Sequence, residues 1–450
     1  MPDHARSDDP AVQAQLDRFA QLSPGRDVLG LERIAALLDA IGNPQRALPP
    51  VFHVAGTNGK GSTCAFLRAG LEAAGLTAHV YTSPHLCRFN ERIRIAGTLI
   101  DDAALAPLLA KVLDAAEARG IAPSFFEATT AAAFLAFART PADAAIIEVG
   151  LGGRLDATNV IERPAACGIA QLGIDHEAFL LDPSNGPDWP PAERIGWEKA
   201  GIAKPGVPLV TMDYPQPVAA RIAEHARVTG AAWLPRRTAW HSAIYEGALH
   251  YRDDAGRLAL PLPRLRGGHQ AENAALAVAM LRHQDAVAIP EAALKAAMGW
   301  AEWPARMQRL GAGPLTALLP EATTLWLDGG HNPAAAQAVL NVFPHGTRPH
   351  LIIGMLRNKD VAGFLGPLAP HISGLSAVPV PHHEHHDPKD ICRLAQESLG
   401  IRNANPRGSL TEALTWAARD ASRPADEPII ICGTLYLAGE VLRANGQVPE

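Results

Sequence analysis

The sequence predicts two α/β domains in tandem, the first about twice the size of the second. Three observations lead there. Short apolar runs alternate with longer amphipathic ones from residue 51 onward, the pattern of a mostly parallel sheet covered by helices. A glycine-rich turn carrying a lysine joins the first apolar run to the first long helix. The alternation breaks at residues 299–309, around Trp303-Pro304, and then starts again.

The first 50 residues read as a helical lead-in. Predicted strands follow at 51–55, 78–82, 144–149, 166–170 and 207–211, with helices at 61–74, 102–119, 127–139 and 217–229. Residues 241–262 alternate over short runs about Asp253-Asp254-Ala255-Gly256, which predicts a β-hairpin appendage. A helix is expected at 270–282, and the domain boundary near 300, giving domains 1–300 and 301–450. The second series has strands at 324–327, 350–354, 375–380 and 428–432. Its helices fall at 334–342, 361–371, 388–399, 410–419 and 435–444.

Bulk properties remove several classes of function. The 450 residues are too many for one ordinary core, and 48% hydrophobic with 19% charged residues argues against disorder. A net charge of −6 offers nothing to nucleic acid or to an anionic membrane surface. The polar start MPDHARSDDP is not a signal peptide, and no apolar run reaches the length of a membrane span. Five scattered cysteines without CxxC spacing read as reduced thiols, so a cytoplasmic location is expected.

The first apolar run, Val51-Phe52-His53-Val54-Ala55, enters Gly56-Thr57-Asn58-Gly59-Lys60-Gly61-Ser62-Thr63 and then a helix. Strand, glycine turn, lysine, hydroxyl and helix are what a triphosphate site requires. Glycines let successive backbone N–H groups turn toward one anion, and the helix N-terminus adds partial positive charge. Lys60 can reach the β and γ phosphates, and Ser62 or Thr63 can face the metal-bound oxygens. The strict P-loop pattern is not met, because Gly61 separates lysine from hydroxyl. The plainer alternative is a tight turn with an incidental lysine; three glycines and a lysine within six residues argue against it.

This variant loop resembles that of the Mur ligase superfamily, and most of all its folate branch, the dihydrofolate synthases and folylpolyglutamate synthases. Further blocks carry the resemblance: Ser83-Pro84-His85-Leu86, Asn90-Glu91-Arg92-Ile93, the long EVGLGGRLDATN at 148–159, Asp175-His176, Glu198-Lys199-Ala200-Gly201-Ile202, the DGGHNP run at 328–333 and Gly433-Thr434-Leu435-Tyr436. They stand in family order over most of the chain. The resemblance implies a P-loop Mur-ligase-like domain followed by a smaller Rossmann-like domain, with ATP expected in the cleft between them. It implies joining of L-glutamate to dihydropteroate and to reduced folates through an acyl phosphate. A folylpolyglutamate synthase alone, or a related ligase acting on another acid, is the alternative; a nucleotide-binding switch protein would need no such second domain. A monomer is expected.

The chemistry sets its own demands. A carboxylate and an amine do not condense in neutral water, so the carboxylate must take the γ-phosphoryl group of ATP first. Magnesium suits the crowded phosphate charge. Glu148, ending a predicted strand, is placed to hold it. By the resemblance, Ser83, Glu148 and His176 are metal ligands, and Lys199 is a carbamate that binds a second magnesium. Without the family, His176 reads as a polar loop residue and Lys199 as a helix-surface lysine paired with Glu198 or Glu193. A Pro-rich stretch, 182–191, lengthens the spacing before Lys199. The resemblance further implies nucleotide contacts from Gly59, Lys60, Gly61, Ser62, Gln270, Asn273, Arg306 and Asp328, with His331 approaching the reacting phosphate. Ser124, Phe125 and Phe126, with Leu155, Asp156 and Ala157, resemble the dihydropteroate loops; two adjacent phenylalanines also fit plain core packing. The tract His382-His383-Glu384-His385-His386 suggests a transition metal on composition, but it lacks helical spacing and reads as a solvated loop.

Overall fold

The structure, a computed structural model, describes residues 6–22, 29–175, 177–344, 346–420 and 423–450. The chain forms two compact units, residues 1–264 with 270–302 and residues 265–269 with 303–450.

The first unit is built on an eight-stranded sheet. Its strands are β1 (Val51–Ala55), β2 (Ala78–Tyr81), β3 (Ile93–Ile95), β4 (Thr98–Leu99), β5 (Ala144–Glu148), β6 (Ala166–Ile169), β7 (Pro208–Thr211) and β8 (Ala232–Pro235). Their order is β4-β3-β2-β5-β1-β6-β7-β8. All neighbours are parallel except β2–β3 and β3–β4. A parallel strand covered on both faces must be apolar throughout, and every residue of β1 is buried. His53 is the polar member; its Nε2 lies 2.9 Å from Thr158 Oγ1, and burial holds the imidazole neutral, its pKa lowered to about 3.

The helices of this unit are α1 (Pro10–Leu22), α2 (Glu32–Ala40), α3 (Lys60–Ala73), α4 (Asp102–Arg119), α5 (Phe125–Phe137), α6 (Glu177–Leu180), α7 (Pro191–Ala200), α8 (Gln216–Thr229), α9 (Gly268–Arg282) and α10 (Glu291–Trp300). The lead-in helices α1 and α2 join α4 and α5 in one core, where Phe19, Leu37, Leu109 and Phe134 meet Ile147 of β5. Local signals explain the ends. Asp101 caps α4 through Ala104 N, and Gly120, in the left-handed region, closes it.

Residues 240–261 form three antiparallel strands rather than the predicted hairpin: β9 (Trp240–Tyr245), β10 (Ala248–Asp253) and β11 (Gly256–Pro261). Ion pairs tie this sheet to α9 near both ends of the helix. Arg236 meets Glu272 at 2.9 Å, and Arg282 holds buried Asp253 with two 2.7 Å hydrogen bonds.

The second unit carries β12 (Gln308–Arg309), β13 (Leu325–Leu327), β14 (His350–Ile353), β15 (Gly374–Ala377), β16 (Ala404–Pro406) and β17 (Ile429–Cys432), in the order β12-β13-β17-β14-β15-β16. Only β12 is antiparallel to its neighbour. Helices α11 (Pro333–Leu340), α12 (Val361–Leu368), α13 (Pro388–Glu397), α14 (Leu410–Arg419) and α15 (Leu435–Ala444) complete this Rossmann-like layer structure. Its core centres on Phe364, Leu375 and Ile430. Among the described residues, no helix is long and apolar enough to cross a membrane.

Candidate active site

In the first unit the expected residues gather at the C-terminal edge of β2, β5, β1 and β6, where an open parallel sheet places its ligand. The phosphate loop leaves β1 at Gly56, where a Cβ would sit 2.9 Å from Ala170 Cβ, so a larger residue there would collide. Thr57 and Asn58 donate their N–H groups to Gln171 O, and Thr57 Oγ1 bonds Gly173 O at 2.9 Å. The segment after β6 therefore clasps the loop from one side. Gly59 adopts φ +82°, and any side chain on it would run into Asn273 Oδ1. Asn273 Nδ2 in turn bonds Gln270 Oε1 at 3.2 Å, so these two α9 side chains pack as a pair against the loop.

α3 starts at Lys60, whose Nζ donates to Gly56 O at 3.0 Å and Thr57 O at 3.4 Å, folding over the loop it follows. The two candidate hydroxyls separate clearly. Thr63 Oγ1 bonds back to Gly59 O at 2.9 Å. Ser62 is 1% exposed, and its Oγ meets no hydrogen-bond partner among the described residues.

Glu148 ends β5 beside β1, paired in register with Val54, and is buried. Its Oε2 accepts the Ser83 N–H at 3.2 Å, joining the end of β2 to the end of β5. Burial and the Glu148 carboxylate push the Cys64 thiol well above its ordinary range, while Lys60 pulls it down. Both charges therefore reach the first turn of α3. His176 lies outside the described residues.

Lys199 is not the surface lysine that its helix position suggested; it is 4% exposed near the end of α7. The supposed partners are engaged elsewhere: Glu198 with Arg154 at 3.0 Å and Glu193 with Arg221 at 2.8 Å. Burial pushes the Lys199 ammonium down to about 7, helped by Lys60 and opposed by Glu198, Asp156 and Asp175. The LGGR loop packs directly on this end of the helix. A Cβ on Gly153 would sit 2.9 Å from Glu198 O and 3.1 Å from Lys199 Cα, and Arg154 N donates to Glu198 O. The Pro-rich stretch is pinned beside them, since Asn185 O accepts from Arg154 while Pro187 O and Asp182 O accept from Arg194.

The residues likened to dihydropteroate loops surround the same edge. Ser124 and Glu127 cap α5 reciprocally, with Ser124 N to Glu127 Oε2 at 2.7 Å. Phe126 lies against Gly150, which has no room for a side chain, and 5.8 Å from Tyr81. Phe125 meets Phe89 edge-on, under the Arg92 guanidinium at 5.3 Å. Both phenylalanines are half-buried at the rim of the core, so packing is part of their role. Leu155 and Ala157 flank Asp156, whose buried carboxylate accepts from Leu151 N and Thr158 N and so shapes the loop. Sequence reasoning assigned nothing to Arg92 or Arg154. Arg92 is buried, bonds His85 Nδ1 at 2.9 Å and covers two rings; an arginine inside a block of otherwise matched residues was the available signal.

In the second unit, Arg306, Asp328 and His331 come together at the end of β13. Asp328 Oδ2 accepts from Met307 N at 2.9 Å and Oδ1 from Gly330 N at 2.7 Å. Arg306 Nη1 crowds Gly329, and His331 Nδ1 lies 3.3 Å from Gly329 O. Ala305 (φ +55°) and Met307 (φ +41°) both take left-handed backbone, so Arg306 is held between two strained residues, a feature concentrated at working sites. The histidine tract does not assemble a metal site. His386 Nε2 faces Lys359 O, His385 Nδ1 faces His383 O, and His383 stacks on Tyr436. Among the described residues, no group of three His, Cys, Asp or Glu side chains is set to hold a metal.

Fold and site define the class: a Mur-type, ATP-dependent acid–amino-acid ligase. Comparison with known proteins narrows it. The family model "Dihydrofolate synthetase, C-terminal domain" matches residues 315–444. The dihydrofolate synthase/folylpolyglutamate synthase of Escherichia coli is 33% identical over 419 residues, covering 92% of this chain and 90% of its own. The structure of E. coli FolC in complex with DHPP and ADP superposes with a TM-score of 0.82 at 31% identity, covering 97% of both chains. A bifunctional folylpolyglutamate synthase/dihydrofolate synthase with Mn, AMPPNP and L-glutamate bound gives 0.81 at 30%, covering 96% of this chain and 97% of that one. The chain belongs to the dihydrofolate synthase/folylpolyglutamate synthase family.

The residues fit the nucleotide and the divalent ion that such relatives hold. Glu148 and Ser62 offer hard oxygen donors, and the Ser62 hydroxyl, desolvated and without a protein partner among the described residues, calls for a ligand.

Proposed function

We propose that the chain joins L-glutamate to dihydropteroate, giving dihydrofolate, and to the carboxylate of reduced folates, with conversion of ATP to ADP and phosphate, and that it does so in the cytoplasm. The observation that carries this reading is the convergence of a phosphate loop, an unpartnered buried hydroxyl and a buried carboxylate at neighbouring strand ends, in a chain of this family. All five cysteines are free and buried, in keeping with a reducing compartment.

The N–H groups about Gly59–Gly61 and the first turn of α3 receive the β and γ phosphates, and Lys60 exchanges its bonds to Gly56 O and Thr57 O for phosphate oxygens. Magnesium, when bound, neutralises the phosphate charge and fixes its geometry. Ser83 and Glu148 would hold it, with His176 and a carbamylated Lys199 as further ligands by family resemblance, and Ser62 would face the metal-bound phosphate oxygens. Gln270 and Asn273 brace the loop at Gly59 and face the adenine side. Phe125, Phe126 and the Leu155–Ala157 loop present the fused ring, which aligns the acceptor carboxylate for attack on the γ-phosphorus. That carboxylate displaces ADP and becomes an acyl phosphate. The glutamate amine then attacks the carbonyl, and phosphate departs. Lys199, buried beside Asp156, serves as a carbamate. Arg306, Asp328 and His331 cluster within the second unit and are likened by family resemblance to nucleotide contacts. Arg306 Nη1 donates to Ala305 O at 3.0 Å, which holds its guanidinium in place.

The test is ADP release by the whole chain with dihydropteroate or tetrahydrofolate as acceptor. Release should require both acceptor and L-glutamate, and Lys60→Ala should abolish it while leaving the circular dichroism spectrum unchanged. Release without glutamate, or full activity in Lys60→Ala, would overturn the reading.

A further inference from the structure

The outer face of the β9–β11 sheet carries an arrangement that folding alone disfavours. Pairing aligns His241, Arg252 and Arg257 directly across the three strands. Two arginines opposite each other on one face repel, and cross-strand like charges destabilise a sheet. Neither Arg252 nor Arg257 has an acidic partner among the described residues, although the chain as a whole is acidic. Arg236, from the segment before β9, also lines the cavity, but its guanidinium is already engaged by Glu272 at 2.9 Å and by Ser242 O. Together these groups line a cavity of about 650 Å³, a size typical of small-ligand sites. Tyr245, 51% exposed, lies flat on His250 with ring centroids 3.5 Å apart, and His250 Nε2 is shielded from solvent with no hydrogen-bond partner among the described residues. The cavity thus offers two guanidinium groups, unpaired among the described residues, beside an exposed aromatic ring.

We propose that this face is a binding site for a small multivalent oxyanion, one molecule bearing two or more carboxylate or phosphate groups, held by Arg252 and Arg257. Guanidinium forks match both kinds of group in bidentate fashion. A ligand of this charge would relieve the repulsion between Arg252 and Arg257. A half-open cavity of this size on a chain of net charge −6 favours a compact anion over a long polyanion such as nucleic acid. Two sources share the chemistry: an oligoglutamate chain, which a glutamate ligase builds, and a polyphosphate. No phosphate-loop residue lines the cavity, and failure of this proposal would leave the ligase reading untouched.

Calorimetric titration of the full-length protein tests this with two probes, γ-linked tetraglutamate and inorganic tripolyphosphate. The Lys60→Ala background is used, so that the phosphate loop contributes little. At least one probe should bind saturably, one per chain. The double substitution Arg252→Gln with Arg257→Gln should weaken it tenfold or more, while its thermal midpoint stays equal to or above that of the parent. Removing two charges elsewhere, Arg46→Gln with Arg119→Gln, should leave binding unchanged. Preference for one probe identifies the source. No saturable binding of either probe, equal binding by the double variant, an equal loss in the control variant, or a lowered midpoint would each overturn the proposal.

Discussion

Replacing Ser62 with alanine should make the protein more stable and a worse enzyme. Ser62 is 1% exposed, and its hydroxyl has no partner among the described residues. An unsatisfied buried hydroxyl costs about 1–3 kcal/mol, and alanine also suits a helix better by roughly 0.5 kcal/mol. The net gain without nucleotide is therefore on the order of 1–3 kcal/mol. For a unit of this size that raises the melting midpoint by about 1–4 °C. With substrates present the same hydroxyl faces phosphate and metal, where a hydrogen bond to a charged group contributes about 1.5–3 kcal/mol. At roughly 1.4 kcal/mol per factor of ten, kcat/KM should fall by about ten- to a hundredfold. Calorimetry of the free protein and steady-state kinetics of ADP release measure the two effects separately. A midpoint lowered by several degrees would show that Ser62 has a structural partner. Unchanged kcat/KM would remove it from the nucleotide site.

Other substitutions separate the remaining roles. Glu148→Gln keeps the shape at the end of β5 but removes the charge; activity should drop at least tenfold, and added magnesium should restore little of it, as a magnesium titration of the rate would show. Lys199→Ala should be nearly inactive, and millimolar acetate should return part of the activity if the residue works as an anion; an acetate series in the same assay decides it. Stability should also fall in acid. His350 is buried, its Nε2 lies 2.9 Å from Ser376 Oγ, and burial with Arg423 lowers its pKa to about 4. The folded protein then binds fewer protons than the unfolded chain below pH 6.5. Its contribution is flat above that pH and is lost by up to about 1.4 kcal/mol per pH unit down to about pH 4. Urea midpoints across this range should fall less steeply in His350→Asn.

Local chemistry made the phosphate loop legible. Gly59 needs left-handed backbone, Lys60 opens a helix, and both follow an apolar strand, so the residues themselves describe the turn. The same holds for Glu148 at a strand end and for α4, α14 and α15, whose bounds the periodicity predicts residue for residue. What stayed hidden depends on contacts distant in sequence. Lys199 looked like a surface residue because nothing local reveals that Gly153 and Arg154 pack over it. The choice between Ser62 and Thr63 turned on a back-bond to Gly59 that spacing cannot disclose. β12 and β16 are too short to leave an apolar run, and a third strand in the outer sheet was hidden because β9 buries Trp240 but leaves its other apolar residues, Ile244 and Tyr245, half-exposed on alternate faces, so no clean alternation marks it.

The central claim is that a carboxylate is activated by the γ-phosphoryl group of ATP before the amine attacks. The most direct measurement follows oxygen. Dihydropteroate labelled with oxygen-18 in its carboxylate is turned over with ATP and L-glutamate, and the inorganic phosphate is analysed by mass spectrometry. An acyl phosphate route predicts one labelled oxygen in the phosphate for each amide formed. Unlabelled phosphate, or label recovered in AMP, would contradict it.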